Sequence, residues 1–205
     1  MDISACLMLF TRYPEAGNTK TRLIPHLGAV RAAELQRWMT ASMAREMDAL
    51  RPDIDRQIHF SGGGLSQMQA WLGRQFTYLP QFAGGLGNRL HQAFVGNFRS
   101  GMDAVVAIGA DCPQLSIRHF EQAFKQLKTH DVVLGPAADG GYYLIGLNRP
   151  QSKLFEDIPW GTGDVFEQTV AIANSLNLSI ATLEQQRDVD RPEDLELLTQ
   201  IPLCI

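Results

Sequence analysis

Lys20 and Arg22 stand two residues apart in LMLFTRYPEAGNTKTRLIP (residues 7–25), a stretch that begins as an apolar run and turns abruptly polar. Arg12, Gly17, Thr19 and Thr21 accompany them. In an extended loop a Lys-x-Arg pair points to one side. There Arg can fork across two phosphate oxygens while Lys serves as a point charge. Gly17 would let the backbone approach closely. The alternative is a solvated surface loop, although loops are disproportionately functional.

Acidic residues follow other apolar runs. Asp111, in GADCPQL, ends the run AVVAIGA. It is placed either for a hard cation such as Mg²⁺, which prefers oxygen ligands, or for a turn that satisfies backbone amides. Asp139, in ADGGYY, reads as an Asp-Gly turn. Alternatively, Gly140 and Gly141 followed by Tyr142 and Tyr143 could set amides and aromatic faces around a sugar or base. Trp160, in PWGTGDV, offers a similar stacking face or a packed core ring.

Asp188 and Asp190 close the set. DRPE (residues 190–193) fits a capping box, with Asp190 as N-cap, Glu193 reaching back and Pro192 in the first turn. Asp188 has no such structural explanation. Two neighbouring carboxylates repel each other without a cation, so one of them could be a second metal ligand. GGLGNRL (residues 84–90) opens a helix whose free amides could hold an anion, with Arg89 close by. SGGGLS (residues 61–66) lacks a dinucleotide fingerprint and reads as a flexible turn. The five histidines show no metal-ligand spacing, and no serine sits in a nucleophile elbow.

These residues need a scaffold. Short apolar runs predict strands at 3–10, 54–60, 76–79, 104–109, 132–135, 142–147 and 179–182. Helical spacing covers 29–50, 87–98, 116–127, 164–176 and 192–200, with Ser116 a cap and Met39, Met43 and Met47 core filler. Alternating strands and helices imply an α/β fold with a mostly parallel sheet covered on both faces. GPAADGGYYLIGL breaks the rhythm and predicts an irregular or antiparallel insertion. Ligands of open α/β sheets lie beyond the carboxyl ends of the strands. Four such ends carry cations, an Asp, another Asp and an Asp pair, an inventory suited to phosphate and metal.

At 205 residues and 45% hydrophobic, the chain can bury one substantial core, and 1–205 is expected to form one domain. A net charge of -4 argues against general affinity for nucleic acid or an anionic membrane. Cys6, Cys112 and Cys204 form no framework and suit a reducing compartment. The first apolar run is too short to span a membrane, so a cytoplasmic location is expected. Oligomeric state is open.

FTRYPEAGNTKTRLIP, GLGNRL, GADCPQL, GPAADGGYYLIGL, PWGTGDV and DVDRPEDL occur in that order. Across nearly the whole chain this series resembles the bacterial GT-A-like glycosyltransferase family known as radical-SAM/selenodomain-associated transferases, first catalogued as a domain of unknown function. More distantly, the Lys-x-Arg loop and the DVDRPEDL ending look like phospholactate guanylyltransferase and molybdenum-cofactor guanylyltransferase. The resemblance implies a Rossmann-like three-layer α/β/α sandwich of the nucleotide-diphospho-sugar transferase (GT-A) type, binding a nucleotide or nucleotide-sugar with Mg²⁺ or Mn²⁺ and acting on a small-molecule acceptor. It places Asp111 and Asp139 at the chemistry and Asp111 and Asp190 on the metal. Arg12, Gly17, Lys20, Arg22 and Arg89 fall to the nucleotide phosphates, and Gly140, Gly141, Tyr142 and Trp160 to the substrate. Gly85 replaces an Asp of the family pattern and Arg191 replaces a Thr. Glycosyl transfer is the first expectation, nucleotidyl transfer with pyrophosphate release the second, and non-catalytic nucleotide sensing the third.

Overall fold

The computed structural model describes residues 4–200; Ile3, expected at the start of the first strand, and Cys204 lie outside them. Seven strands form one sheet: β1 (Ala5–Arg12), β2 (Ile54–Ser61), β3 (Thr77–Pro80), β4 (Ala104–Gly109), β5 (Val132–Pro136), β6 (Tyr142–Leu147) and β7 (Ile180–Thr182). Their order is β3-β2-β1-β4-β6-β5-β7. All neighbours pair parallel except β6, which runs antiparallel between β4 and β5. The insertion expected after residue 135 is therefore a strand laid into the middle of the sheet.

The helices are α1 (Ile24–Leu27), α2 (Ala29–Asp48), α3 (Leu65–Leu72), α4 (Leu86–Arg99), α5 (Ile117–Gln126) and α6 (Val165–Ser175). Residues alternate across a strand, so β1 feeds two cores. Leu7 and Leu9 join Met43 and Met47 of α2, Met68 of α3 and Phe120 of α5 on one face. Cys6 and Met8 join Leu90 and Phe94 of α4 and Ala173 of α6 on the other. The sheet is thus the middle layer of three, as expected. Met39, also expected as filler, packs with Leu23 and Val189 in a smaller cluster.

Two expectations need correcting. The SGGGLS stretch is not merely a flexible turn: β2 runs through Ser61, and Leu65 opens α3, with the Gly64 amide donating to Gln67 Oε1 at 2.8 Å. Residues 192–200 form a 3-10 helix (Pro192–Gln200). Ser116 stands at the N-cap of α5, where His119 Nδ1 reaches back to accept from its amide at 3.1 Å and Glu46 of α2 accepts from the Ile117 amide at 2.9 Å. Cys6 and Cys112 are buried free thiols. No helix among the described residues is long and apolar enough to cross a membrane.

One buried polar cluster stiffens the sheet behind the functional edge. Gln57 Nε2 donates to Asn97 Oδ1 at 2.8 Å, and Asn97 Nδ2 returns a bond to Gln57 Oε1 at 3.1 Å. The same Gln57 oxygen lies 2.9 Å from His59 Nε2, which must donate to it and so leaves His59 Nδ1 bare and buried. Phe10 stacks on the imidazole with ring centroids 5.0 Å apart. Burial holds His59 down to about 4. The unfolded chain takes up this proton near pH 6.5 and the folded chain does not, so the stability it carries is complete above that value and is lost as pH falls toward 4. Urea unfolding at pH 7 and at pH 4.5 should show the wild type losing about 2–3 kcal/mol more than His59→Phe, at about 1.4 kcal/mol per pH unit. Parallel losses in the two proteins would show that another group is responsible.

Candidate functional site

The carboxyl ends of β1, β4 and β5 face one edge of the sheet. Because β6 is antiparallel, it starts at that same edge, so the tight Asp139–Gly141 turn never leaves it. β7 is parallel to β5, so the chain leaves it at this same edge and runs along it. Gln186 N donates to Pro136 O at 3.0 Å, Ala138 N to Gln186 O at 2.9 Å, and Val189 N to Asp111 O at 2.9 Å. Asp188 and Asp190 are thereby carried past β5 and β6 to the end of β4, three strands away from β7.

The Lys-x-Arg stretch is not extended. Lys20 sits in the left-handed region (φ 47°), and Thr21–Leu23 form a turn of 3-10 helix. The two cations therefore part instead of sharing a direction. Lys20 is buried, with its side chain 4% exposed; Nζ lies 2.7 Å from Asp111 Oδ1 and donates to Val189 O at 2.6 Å. One ammonium thus ties together the first loop, the end of β4 and the last crossing segment. Arg22 remains exposed and pairs with Asp190, and that bond strengthens the hold on its proton.

The expected capping box also differs. Asp194, not Glu193, reaches back, accepting from Asp190 N at 3.1 Å and Arg191 N at 2.8 Å. A side chain four residues on does the capping where Pro192 opens the 3-10 helix, and the Asp190 carboxylate is left to Arg22.

Three adjoining cavities open along this edge. The basic cavity, about 580 Å³, gathers Arg12, Lys20, Arg22 and Arg89, with Thr19 and Gln81. Arg89 is held in place: Nε donates to Gly84 O at 2.7 Å and a terminal nitrogen to Gln81 Oε1 at 3.1 Å. Gln81 in turn donates to Thr11 O and His59 O, at 3.0 and 2.9 Å, so the guanidinium is braced against the sheet. Arg12 donates to Asn18 O at 3.4 Å, which keeps the turn around Gly17 folded under the cavity. Gly17 itself, at φ 90°, shapes the turn and is not among the cavity's lining residues.

The aromatic cavity, about 330 Å³, is walled by Phe10, Tyr142 and Trp160, with Leu86, Leu90 and Ile145. Trp160 meets Tyr142 nearly edge-on, with centroids 6.0 Å apart at 81°. The indole can come this close to α4 because residue 87 is glycine; a Cβ there would collide with Trp160 Nε1. Gly141 lines this cavity but Gly140 does not. Gly140 has φ 88°, and a Cβ on it would collide with the Gly163 carbonyl, so its place is to let two loops touch. A third, polar cavity of about 450 Å³ lies beyond, with Arg22, Arg187 and Arg191 among its residues.

The carboxylates occupy the shared walls. Asp111 lines both the basic and the aromatic cavity, Asp139 and Asp188 the aromatic and the third, and Asp190 the basic and the third. One oxygen of Asp139 accepts from Gly141 N at 2.8 Å, so the expected Asp-Gly turn exists and also faces the cavities. Burial, then the neighbouring Asp139, raises Asp188 to about 6, with Asp111 adding to the repulsion. Cys112, beside them, is pushed well up by burial and is no ready nucleophile. Asp188, one of the two carboxylates that the sequence offered as a second metal ligand, lines two of the cavities; its lack of a capping role was the signal. Phe10 and Gln81 were missed. A strand-end Phe and a lone Gln carry no chemical spacing that could have flagged them.

A model of the family described as "Uncharacterized protein conserved in bacteria (DUF2064)" matches residues 45–162. No curated protein matches the chain. Among solved structures, a Desulfovibrio desulfuricans G20 protein provisionally described as a nucleotide-diphospho-sugar transferase is 31% identical, with a TM-score of 0.90 over 99% of this chain and 90% of its own. CMP:2-keto-3-deoxy-manno-octonic acid synthetase, solved with CTP, is 11% identical, with a TM-score of 0.62 over 97% of this chain and 98% of its own. Glucosyl-3-phosphoglycerate synthase of Mycobacterium tuberculosis, solved with Mn²⁺, UDP and glucosyl-3-phosphoglycerate, is 13% identical, with a TM-score of 0.57 over 95% of this chain and 75% of its own. The architecture is that of the nucleotide-diphospho-sugar transferases, with the GT-A-like sheet expected from the sequence.

Proposed function

Because the chain belongs to the DUF2064 family of bacterial proteins, and shares its fold with nucleotidyl and glycosyl transferases, we propose that it transfers a sugar from a nucleotide-sugar to a small-molecule acceptor. The observation that carries this reading is the position of Asp111, on the wall between a cavity rich in cations and one walled by aromatic rings. The nucleoside diphosphate lies in the basic cavity against Arg22 and Arg89, and the sugar and acceptor face the aromatic cavity.

The residues present fit a divalent cation. Asp188 is repelled by Asp139 and Asp111, so hard oxygen donors are drawn together in excess of their positive partners. Among the described residues no three acidic, histidine or cysteine side chains form a ready cage. Mg²⁺, however, commonly takes one or two carboxylates and completes its shell with waters and phosphate oxygens. Asp111 and Asp188 would hold Mg²⁺ or Mn²⁺, which when bound supplies positive charge to the departing diphosphate. Asp190, expected on the metal, instead positions Arg22. Lys20 orients Asp111 rather than reaching freely for phosphate.

The acceptor oxygen bonds to the anomeric carbon as the bond from that carbon to the diphosphate oxygen breaks. The electron pair leaves on the diphosphate, and the acceptor proton passes to Asp139, whose orientation the Gly141 amide sets. Arg22 and Arg89 meet the charge that develops on the leaving group. Arg22→Ala and Arg89→Ala should each weaken nucleoside diphosphate binding about 10- to 100-fold, from the loss of roughly 1.5–3 kcal/mol per charged hydrogen bond. Calorimetric titration checks this, and unchanged affinity would remove the nucleotide from the basic cavity.

Arg12, Arg22 and Arg89 in one cavity also suit a triphosphate, and the likeness of the Lys-x-Arg loop to guanylyltransferases stands behind that second reading. Panels of nucleotide-sugars and nucleoside triphosphates with Mn²⁺ or Mg²⁺ separate the two. Nucleoside diphosphate released from a sugar donor supports glycosyl transfer, and pyrophosphate released from a triphosphate supports nucleotidyl transfer. Binding without either product would leave a nucleotide sensor.

A further inference from the structure

Every cation near the site belongs to the basic or the third cavity; among the described residues, no Lys, Arg or His lines the aromatic one. Its walls include the half-buried rings of Phe10, Tyr142 and Trp160, and Leu86, which is 46% exposed. Its charged groups, Asp111, Asp139 and Asp188, are all acidic. An anionic ligand group placed there would lose water without gaining a counter-charge and would face three carboxylates. A cationic group would meet Asp139 and Asp188 at one end only, since Lys20 already neutralises Asp111, and would lose its water against the apolar walls. What remains is an uncharged ligand with an apolar body and one polar end. The volume, about 330 Å³, exceeds the roughly 150 Å³ that encloses a benzene ring, leaving room for a ring and a short arm.

We infer that the aromatic cavity takes an uncharged aryl alcohol as acceptor, the ring lying among Phe10, Tyr142 and Trp160 and the hydroxyl turned to the Asp139 and Asp188 carboxylates. The acceptor role rests on the transferase reading above; the preference for an uncharged aryl ligand rests on the cavity alone. Opposite ends of the ligand thus meet opposite chemistries, which selects against sugar phosphates and carboxylic acids as second substrates.

The test uses three probes of similar shape: 2-phenylethanol, phenylacetate and phenethylammonium. Their binding to the whole protein is followed by calorimetry, with UDP and GDP titrated into the same preparations. The alcohol is expected to bind at least tenfold more tightly than either charged probe. Trp160→Ala should weaken its binding about tenfold and leave UDP or GDP binding in the basic cavity unchanged. Since loss of a packed indole could disturb folding, Thr162→Lys, at an exposed position on the rim, provides a second arm: it should raise phenylacetate binding at least tenfold. Phenylacetate or phenethylammonium binding the wild type as tightly as the alcohol would overturn the inference, as would an alcohol affinity indifferent to Trp160→Ala. Loss of alcohol selectivity with nucleotide binding intact sinks this inference alone. Alcohol binding without any nucleotide binding sinks the transferase reading, and with it the ligand's role as acceptor.

Discussion

Lys20→Met is expected to lower turnover about 10²–10³-fold, the usual effect of removing one preorganised charge-stabilising group, although Lys20 need not touch substrate. Its ammonium holds both Asp111 Oδ1 and the Val189 carbonyl. Methionine keeps most of the side-chain volume and removes only the charge, so the crossing segment loses its tether to the end of β4. Breaking a fully buried pair costs about 3–5 kcal/mol. Asp111, however, is 51% exposed and regains water, which brings the expected loss of stability to about 2 kcal/mol. Lys20→Arg should not rescue, because a planar fork does not fit a slot shaped for one point charge in a left-handed backbone. Urea unfolding and turnover are measured on the same samples. A variant as stable as the wild type, with normal nucleotide affinity, would show that the ammonium is not the tie it is drawn to be.

Asp111→Asn is expected to cost at least as much activity, about 10³-fold, with far less damage to the fold. Asparagine is nearly isosteric, and its carbonyl oxygen can still accept from Lys20. What disappears is the negative charge on the wall common to the basic and aromatic cavities, the place where a divalent cation would meet the diphosphate. Two results should therefore coincide: loss of turnover, and loss of any gain in nucleotide affinity on adding Mn²⁺. Calorimetric titration with and without Mn²⁺ reads the second. If the variant keeps the Mn²⁺-dependent gain, the cation lies elsewhere and the assignment to Asp111 and Asp188 falls.

Local pattern carried much of this site. The apolar runs placed all seven strands to within about two residues; β1, β4, β5 and β6 are buried on both faces and so read as continuous apolar runs, while β3, at the sheet's edge, is largely exposed. Asp111 and Asp139 were visible as polar residues at strand ends, where an α/β sheet opens to ligands. Helix α3 was not visible, since three glycines precede it and it is only eight residues long. The Lys-x-Arg geometry was misread because spacing says nothing about φ, and a single left-handed residue turned two neighbours into partners of different carboxylates.

The sequence by itself determined the α/β layering, the edge at which chemistry would gather and the residue types gathered there. Those follow from hydrophobic period and turn chemistry, which act over a few residues. Only the tertiary structure decided which cation meets which carboxylate, that Asp194 frees Asp190 for Arg22, and that acidic walls divide a basic cavity from an aromatic one. Such pairings span up to 169 residues, as from Lys20 to Val189. They depend on where β6 slots into the sheet and on the path of the last segment across its edge, which local spacing does not encode.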